Sequence, residues 1–244
     1  MARFPQWPQD GLWRLTILVA KTADDWRPRL GNALVAALRE EPSLCRLVSS
    51  ETLPDKERPA LLPPSSADGM VELWFSSPEN ALEVLAALER NPEFVRAAGE
   101  VIAPRRSVMW LARCVVQVPE AGETGIKFLG TSEPAEGLST EEAQAYWRDV
   151  HPVVAREAGA FNTVCRYIQF HGVPTPEGMQ PGPLGHWRMA PISAEAGFRD
   201  FEAMTGLFGS ETYARIVRPD EEKFSQPGDM LVYLTDREEH LLGA

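Results

Sequence analysis

Four histidines, His151, His171, His186 and His240, are the side chains of this 244-residue chain best suited to moving protons near neutral pH, and all four lie in its second half. His151 has Trp147 four residues before it and Val154 three after it. That spacing sets it at or near the apolar face of a helix, where its pKa responds to burial. An imidazole there can act as general acid or base; the plainer alternative is a packed histidine bonded to a neighbouring carbonyl. Cys165, Tyr167, Gln169 and His171 alternate along an apolar run, so they share one face of a strand. That face suits a pocket wall, with Tyr167, Gln169 and His171 converging on a ligand, unless it simply faces solvent. Arg188 can hold a carboxylate or enolate oxygen, or it forms a surface ion pair. Trp74, Trp110, Trp147 and Trp187 fall in or beside apolar segments and can wall an aromatic pocket or serve as core. Asp220 and Glu221 read most simply as anchors of the last loop, to a helix or to Arg218.

Other chemistries are disfavoured by what is missing. No G-x-G-x-x-G follows a strand, and no Walker A, H-E-x-x-H or G-x-S-x-G sequence occurs. Two histidines on different elements could ligate a metal, but no third ligand suggests itself, so no metal and no bound organic cofactor are expected. The three cysteines, Cys45, Cys114 and Cys165, give neither a disulfide framework nor a C-x-x-C pair. The net charge is −11, which disfavours nucleic acid as a partner. The charge is uneven. Residues 1–120 hold 14 basic and 16 acidic side chains (net −2), and residues 121–244 hold 10 and 19 (net −9). No apolar run approaches the roughly 20 residues of a membrane span, and the start has no signal-peptide character. A cytoplasmic protein with a small-molecule substrate is the expectation, without a membrane partner and with a homodimer possible.

The elements that must position these residues repeat once. Segments 13–20, 44–49, 70–75 and 107–118 read as strands. Helices follow Asp24-Asp25 and Pro78-Glu79, the second with a break near Pro92, and 54–66 reads as a Pro-rich loop. After a join near 119–124, strands are predicted at 125–130, 163–170, 186–192 and 228–235. Helices are predicted at 139–158 and 194–204. Ser139 with Glu142 has capping-box spacing, and Gly159 suits a C-cap. The order is β-α-β-β-α-β, twice. This is an α+β fold of two ferredoxin-like repeats, 1–120 and 121–244. Each repeat leaves one sheet face bare. The two sheets are expected to close face to face as a fused α/β barrel with the pocket between them.

The segment Leu138-Ser139-Thr140-Glu141-Glu142-Ala143-Gln144-Ala145-Tyr146-Trp147-Arg148-Asp149-Val150-His151-Pro152 resembles the start of EthD domains, roughly L-S-x-E-E-F-x-x-Y-W-x-x-x-H-x-P. Arg166-Tyr167-Ile168-Gln169-Phe170-His171 is similar to the family's R-Y-x-Q-N-H stretch, and Asp220-Glu221-Glu222-Lys223-Phe224 to its D-E-x-x-F element. In the first half, Asp68 to Ser77 resembles D-G-x-x-E-L-W-F-x-S. Ala143 and Phe170 depart from the pattern, and the first half lacks the Y-W-x-x-x-H helix. The resemblance implies a tandem-repeat member of the EthD family, with a dimeric α/β-barrel fold fused into one chain and the active site in the second repeat. The wider superfamily includes monooxygenases, isomerases, cyclases, decarboxylases and haem enzymes, and fold does not choose among them. The first expectation is a cofactor-independent lyase or isomerase of aromatic or polyketide-like compounds. His151 is the base, His171 and Tyr167 are acid or orienting groups, and Trp147, Gln169, Arg188, Trp187 and Trp74 contact substrate. The alternatives are a haem- or oxygen-dependent oxidoreductase with an axial histidine, which a Soret band would reveal, and a non-catalytic small-molecule-binding protein.

Overall fold

Apolar and polar residues alternate along β1 (Trp13–Val19), yet both of its faces are buried. Leu15, Ile17 and Val19 pack under helices, while Arg14, Thr16 and Leu18 point the other way. The computed structural model describes residues 10–59, 62–178, 180–235 and 239–242. Around β1 stand β2 (Leu44–Glu51), β3 (Gly69–Phe75) and β4 (Val108–Val118), in the order β2-β3-β1-β4. One side of this sheet is covered by α1 (Trp26–Leu38), α2 (Pro78–Arg90) and α3 (Pro92–Val101), the last two parting at Asn91-Pro92 as the sequence predicts.

The second half repeats the order as β6-β8-β5-β9, from β5 (Ile126–Pro134), β6 (Arg166–Gly172), β8 (Ile192–Phe198) and β9 (Ser225–Thr235). Where two facing sheets are expected, there is one. β4 pairs antiparallel with β6, and the ten strands of the described residues form a single sheet. Its other end curls back. Leu53 N–H donates to the Tyr233 carbonyl (2.8 Å), Thr52 bridges Leu234, and β10 (Glu239–Leu242) pairs with β2. The fold is thus two ferredoxin-like β-α-β-β-α-β repeats fused into an α/β barrel, with an apolar interior seam that includes Leu18, Trp74, Trp110, Phe170 and Val232.

One strand falls elsewhere than predicted. The third strand of the second repeat is β8, not 186–192, and the segment 194–198, read as helical, belongs to it. Only His186–Trp187 (β7) is extended in the earlier stretch, as a short parallel partner of β4. Ala194, Glu195 and Ala196 are good helix formers. Strands β5 and β6 offer backbone partners on both sides, and tertiary pairing overrides that weak preference. The helix α6 (Phe201–Phe208) starts only after Asp200, whose carboxylate accepts from Ala203 N–H at 2.8 Å.

The helix predicted over 139–158 forms as two pieces, α4 (Thr140–Asp149) and α5 (His151–Glu157). Its start is a full capping box: Ser139 Oγ accepts from Glu142 N–H (3.2 Å), and Glu142 accepts from Ser139 N–H (2.9 Å). Replacing Ser139 by Ala is expected to cost about 1 kcal/mol in denaturant unfolding; no change would mean the cap is not used. The break comes from Pro152, which has no N–H for the Arg148 carbonyl. Side chains serve the carbonyls left open there. Gln117 donates to Arg148 O (3.2 Å) and Gln169 to Trp147 O (2.7 Å).

The barrel interior holds charges that the sequence reading did not anticipate. Arg14 Nη1 lies 3.1 Å from Glu72 and 2.5 Å from Glu195, and its guanidinium sits 3.3 Å over the Phe170 ring. Lys127 pairs with Glu72 (2.6 Å) and Arg166 with Glu195 (3.2 Å). All five side chains are buried. Burial alone would raise the Glu195 pKa, but Arg14, Lys127 and Arg166 hold it below the ordinary carboxylate range.

Candidate functional site

The face of β6 that carries Tyr167, Gln169 and His171 meets the helices; Arg166, Ile168 and Phe170 take the barrel interior. This reverses the expectation that the polar face lines a pocket between sheets. The inward positions are filled by the ion network and large apolar side chains. The cavity, about 330 Å³, instead lies between the outer face of β5, β6, β8 and β9 and the helices of the second half. That volume is at the small end of the roughly 300–1,000 Å³ common for ligand sites. Its walls are mainly aromatic and aliphatic, with Phe128, Trp147, Phe161, Phe198, Phe208 and Phe224 among them.

His151 faces this cavity from the first turn of α5. It is 3% exposed, and its Nδ1 is 2.9 Å from Asp220 Oδ2. Asp220 sits on α7 (Arg218–Glu221), a short helix that continues a π-helical turn, Tyr213–Val217. Its other oxygen accepts from Tyr146 Oη (2.7 Å) and Lys223 Nζ (3.0 Å). Burial alone would raise its pKa, but the hydrogen bonds from Tyr146, His151 and Lys223 hold it below the ordinary range. Asp220 is therefore an anion, and Nδ1 of His151 carries the proton between them. Nε2 is left with the lone pair and, among the described residues, has no partner. Burial lowers the His151 pKa despite the Asp220 charge, so the neutral ring prevails at pH 7. This histidine and carboxylate stand 69 residues apart, and the loop-anchor reading of Asp220 misses that it also sets the imidazole tautomer.

Two further cavity groups come from the same segment. Glu221 Oε2 accepts from Tyr213 Oη (2.8 Å) and lies 3.6 Å from Arg218. The pairing with Arg218 is the anchor expected from sequence. Burial pushes the Glu221 carboxyl up, and Tyr213 is raised by burial and by the Glu221 charge. Tyr167 also lines the cavity. It accepts from Trp147 Nε1 (3.0 Å), and burial raises its pKa, so its hydroxyl keeps the proton.

The remaining candidates do not reach the cavity. His171 stacks on Trp147 (centroids 5.1 Å apart), with Nε2 3.1 Å from Gln169 Oε1. Gln169 is engaged with the Trp147 carbonyl, so the pair braces the helix break behind His151. Arg188 takes its alternative reading, a partly exposed ion pair with Asp229 (2.7 Å). Trp187 packs on the first-half core, and Trp74 lies in the barrel, donating to Glu72 (3.2 Å). His186 lies in β7, while the side chain of His240 falls outside the described residues.

Burial, then Arg148 and Arg113, push the His171 pKa down to about 4 from an ordinary 6.5. The unfolded chain therefore binds the extra proton first, and stability falls as pH drops from 6.5 towards 4. At pH 5 the loss is about 2 kcal/mol. In His171→Gln, the decline in melting temperature between pH 7 and pH 5 is expected to shrink accordingly; an unchanged decline would refute the assignment.

Among the described residues no helix is long and apolar enough to cross a membrane, and no group of three metal-binding side chains occurs. The curled sheet, with helices over its outer face, defines an α/β-barrel fold built from two ferredoxin-like repeats. Residues 135–228 match the EthD domain. No curated protein sequence matches the chain. Solved structures share the fold at low identity. An anthrone oxidase-like protein is 10% identical, with 97% of each chain covered and a TM-score of 0.59. Chlorite dismutase from Candidatus Nitrospira defluvii, in complex with imidazole, is 11% identical, with 93% of this chain and 92% of that one covered and a TM-score of 0.55.

The alternative of a haem enzyme requires a cavity whose residues fit that group. A histidine held at Nδ1 by a carboxylate is a fitting axial ligand. The rest does not fit. The cavity is small, and its one lysine or arginine among the described lining residues, Arg218, is paired with Glu221 and Glu222, leaving no cation for the propionates.

Proposed function

We propose that this protein is an acid–base enzyme of the lyase or isomerase type, acting on small aromatic or polyketide-like molecules without a bound cofactor. The observation that carries the reading is a carboxylate-oriented imidazole presenting a bare Nε2 to an apolar cavity. His151 Nε2 takes a proton from an acidic C–H of the ligand. The electron pair left on carbon is delocalised into an adjacent carbonyl as an enolate. Asp220 stabilises the imidazolium so formed. The Tyr167 hydroxyl, which keeps its proton, is the donor available to the enolate oxygen. The aromatic lining excludes water, which strengthens both interactions. His171 acts on this site only by position, through Trp147 and Gln169.

Proton abstraction can be tested before the downstream reaction is identified. The probe is deuterium exchange at the methylene of anthrone in D₂O under argon, followed by NMR. The expected result is catalysed exchange that falls by roughly 10²-fold or more in His151→Ala. Exchange equal in the two proteins would overturn the reading.

A further inference from the structure

The cavity has a second polar end, and it is built in the same manner as the first. Glu221 turns Oε2 towards the protein, where Tyr213 donates to it and Arg218 lies 3.6 Å away. Oε1 has no partner among the described residues, and it is not sealed from the cavity that Glu221 lines. The Glu221 side chain keeps 23% of its surface open, so water can reach Oε1 in the empty cavity. The apolar rings Phe161, Phe208 and Phe224 line the same cavity, so a ligand seated against them displaces that water and must itself offer Oε1 a donor, or the carboxylate loses a hydrogen bond.

We propose that Glu221 is the specificity-determining residue of this site: Oε1 accepts a hydrogen bond from a hydroxyl of the ligand, so the cavity selects neutral hydroxylated aromatics and rejects those with a carboxylate at that end. This rests on the site assigned above, not on the chemistry assigned to His151. Tyr213 fixes the carboxyl rotamer from the π-helical turn, and Tyr213 and Arg218 both favour the charged carboxyl against the burial that raises its pKa. A carboxylate ligand would meet Glu221 as a like charge, with Arg218 already shared with Glu222.

Three probes of one ring system separate the contributions: 2-naphthol, its methyl ether and 2-naphthoate, with binding followed by titration calorimetry at pH 7. The wild type is expected to bind 2-naphthol at least about tenfold tighter than the ether, with 2-naphthoate weakest. In Glu221→Leu that preference falls to within about twofold while the ether still binds. In Glu221→Gln, which conserves shape, 2-naphthoate binding improves. Melting curves of both variants establish that they fold, and the two must agree. A preference for 2-naphthol that survives in both variants overturns the proposal, as does a wild type that binds none of the three. His151→Ala keeps the preference even if it abolishes anthrone exchange. A preference present without any exchange in the wild type would remove the acid–base reading and leave this one standing.

Discussion

Glu195→Gln is expected to lower the free energy of unfolding by about 3–5 kcal/mol, the cost of removing one partner from a buried ion pair. Glu195 lies within salt-bridge distance of both Arg14 and Arg166 inside the barrel. Its two oxygens are divided between them, Oε2 to Arg14 and Oε1 to Arg166. An amide keeps the shape but offers one acceptor and two donors, so one guanidinium would face an N–H where it had an oxygen. The Arg14 guanidinium is wedged against Phe170 and has an Nη2 already without a partner, so it cannot swing to water. Urea midpoints with unchanged slopes measure the effect. A shift under about 1 kcal/mol would mean that water reaches the network and spreads its charge. The exchange activity per folded molecule should stay the same, because the network lies on the opposite face of the sheet from the cavity. Removing the whole network in favour of apolar side chains of similar volume should cost less than the single change.

The same residues show what a sequence can and cannot disclose. Ser139 with Glu142, and the break before Pro92, were legible because a capping box and a proline act over a few residues. The double β-α-β-β-α-β order was legible because each strand is a distinct apolar run. The 192–198 strand was not, because its Ala and Glu content favours helix and only its two flanking strands decide otherwise. The layer that each face of β6 meets was not legible either. Alternation shows that Tyr167, Gln169 and His171 share a face but not which layer they meet, and here helices cover the polar face. The barrel charges are single residues on separate strands, Arg14, Glu72, Lys127, Arg166 and Glu195, each set among apolar neighbours. A lone charge inside a strand buried on both faces was the available signal. His151 stood out from local spacing and the family resemblance. Its partner did not, since nothing local links residue 151 to residue 220.

That partner carries the second large effect. Asp220→Asn should lower the anthrone exchange rate by roughly 10²–10⁴-fold while leaving ligand binding in place. The direction follows from which oxygen each neighbour uses. Tyr146 Oη and Lys223 Nζ both donate to Oδ1, at 2.7 and 3.0 Å. Asparagine must therefore put its carbonyl oxygen at that position, or lose two hydrogen bonds. Its NH₂ then occupies the Oδ2 position, 2.9 Å from His151 Nδ1. An amide donor there demands a lone pair on Nδ1, so the ring proton moves to Nε2, and the nitrogen facing the cavity can no longer accept one. Nitrogen NMR of the imidazole would report this tautomer change directly, without any substrate. Adding Tyr146→Phe to Asp220→Asn removes one of the two donors that fix the amide, and should return part of the rate. If the single variant exchanges anthrone within about threefold of the wild type, Asp220 only anchors the loop, and His151 does not depend on it as a base.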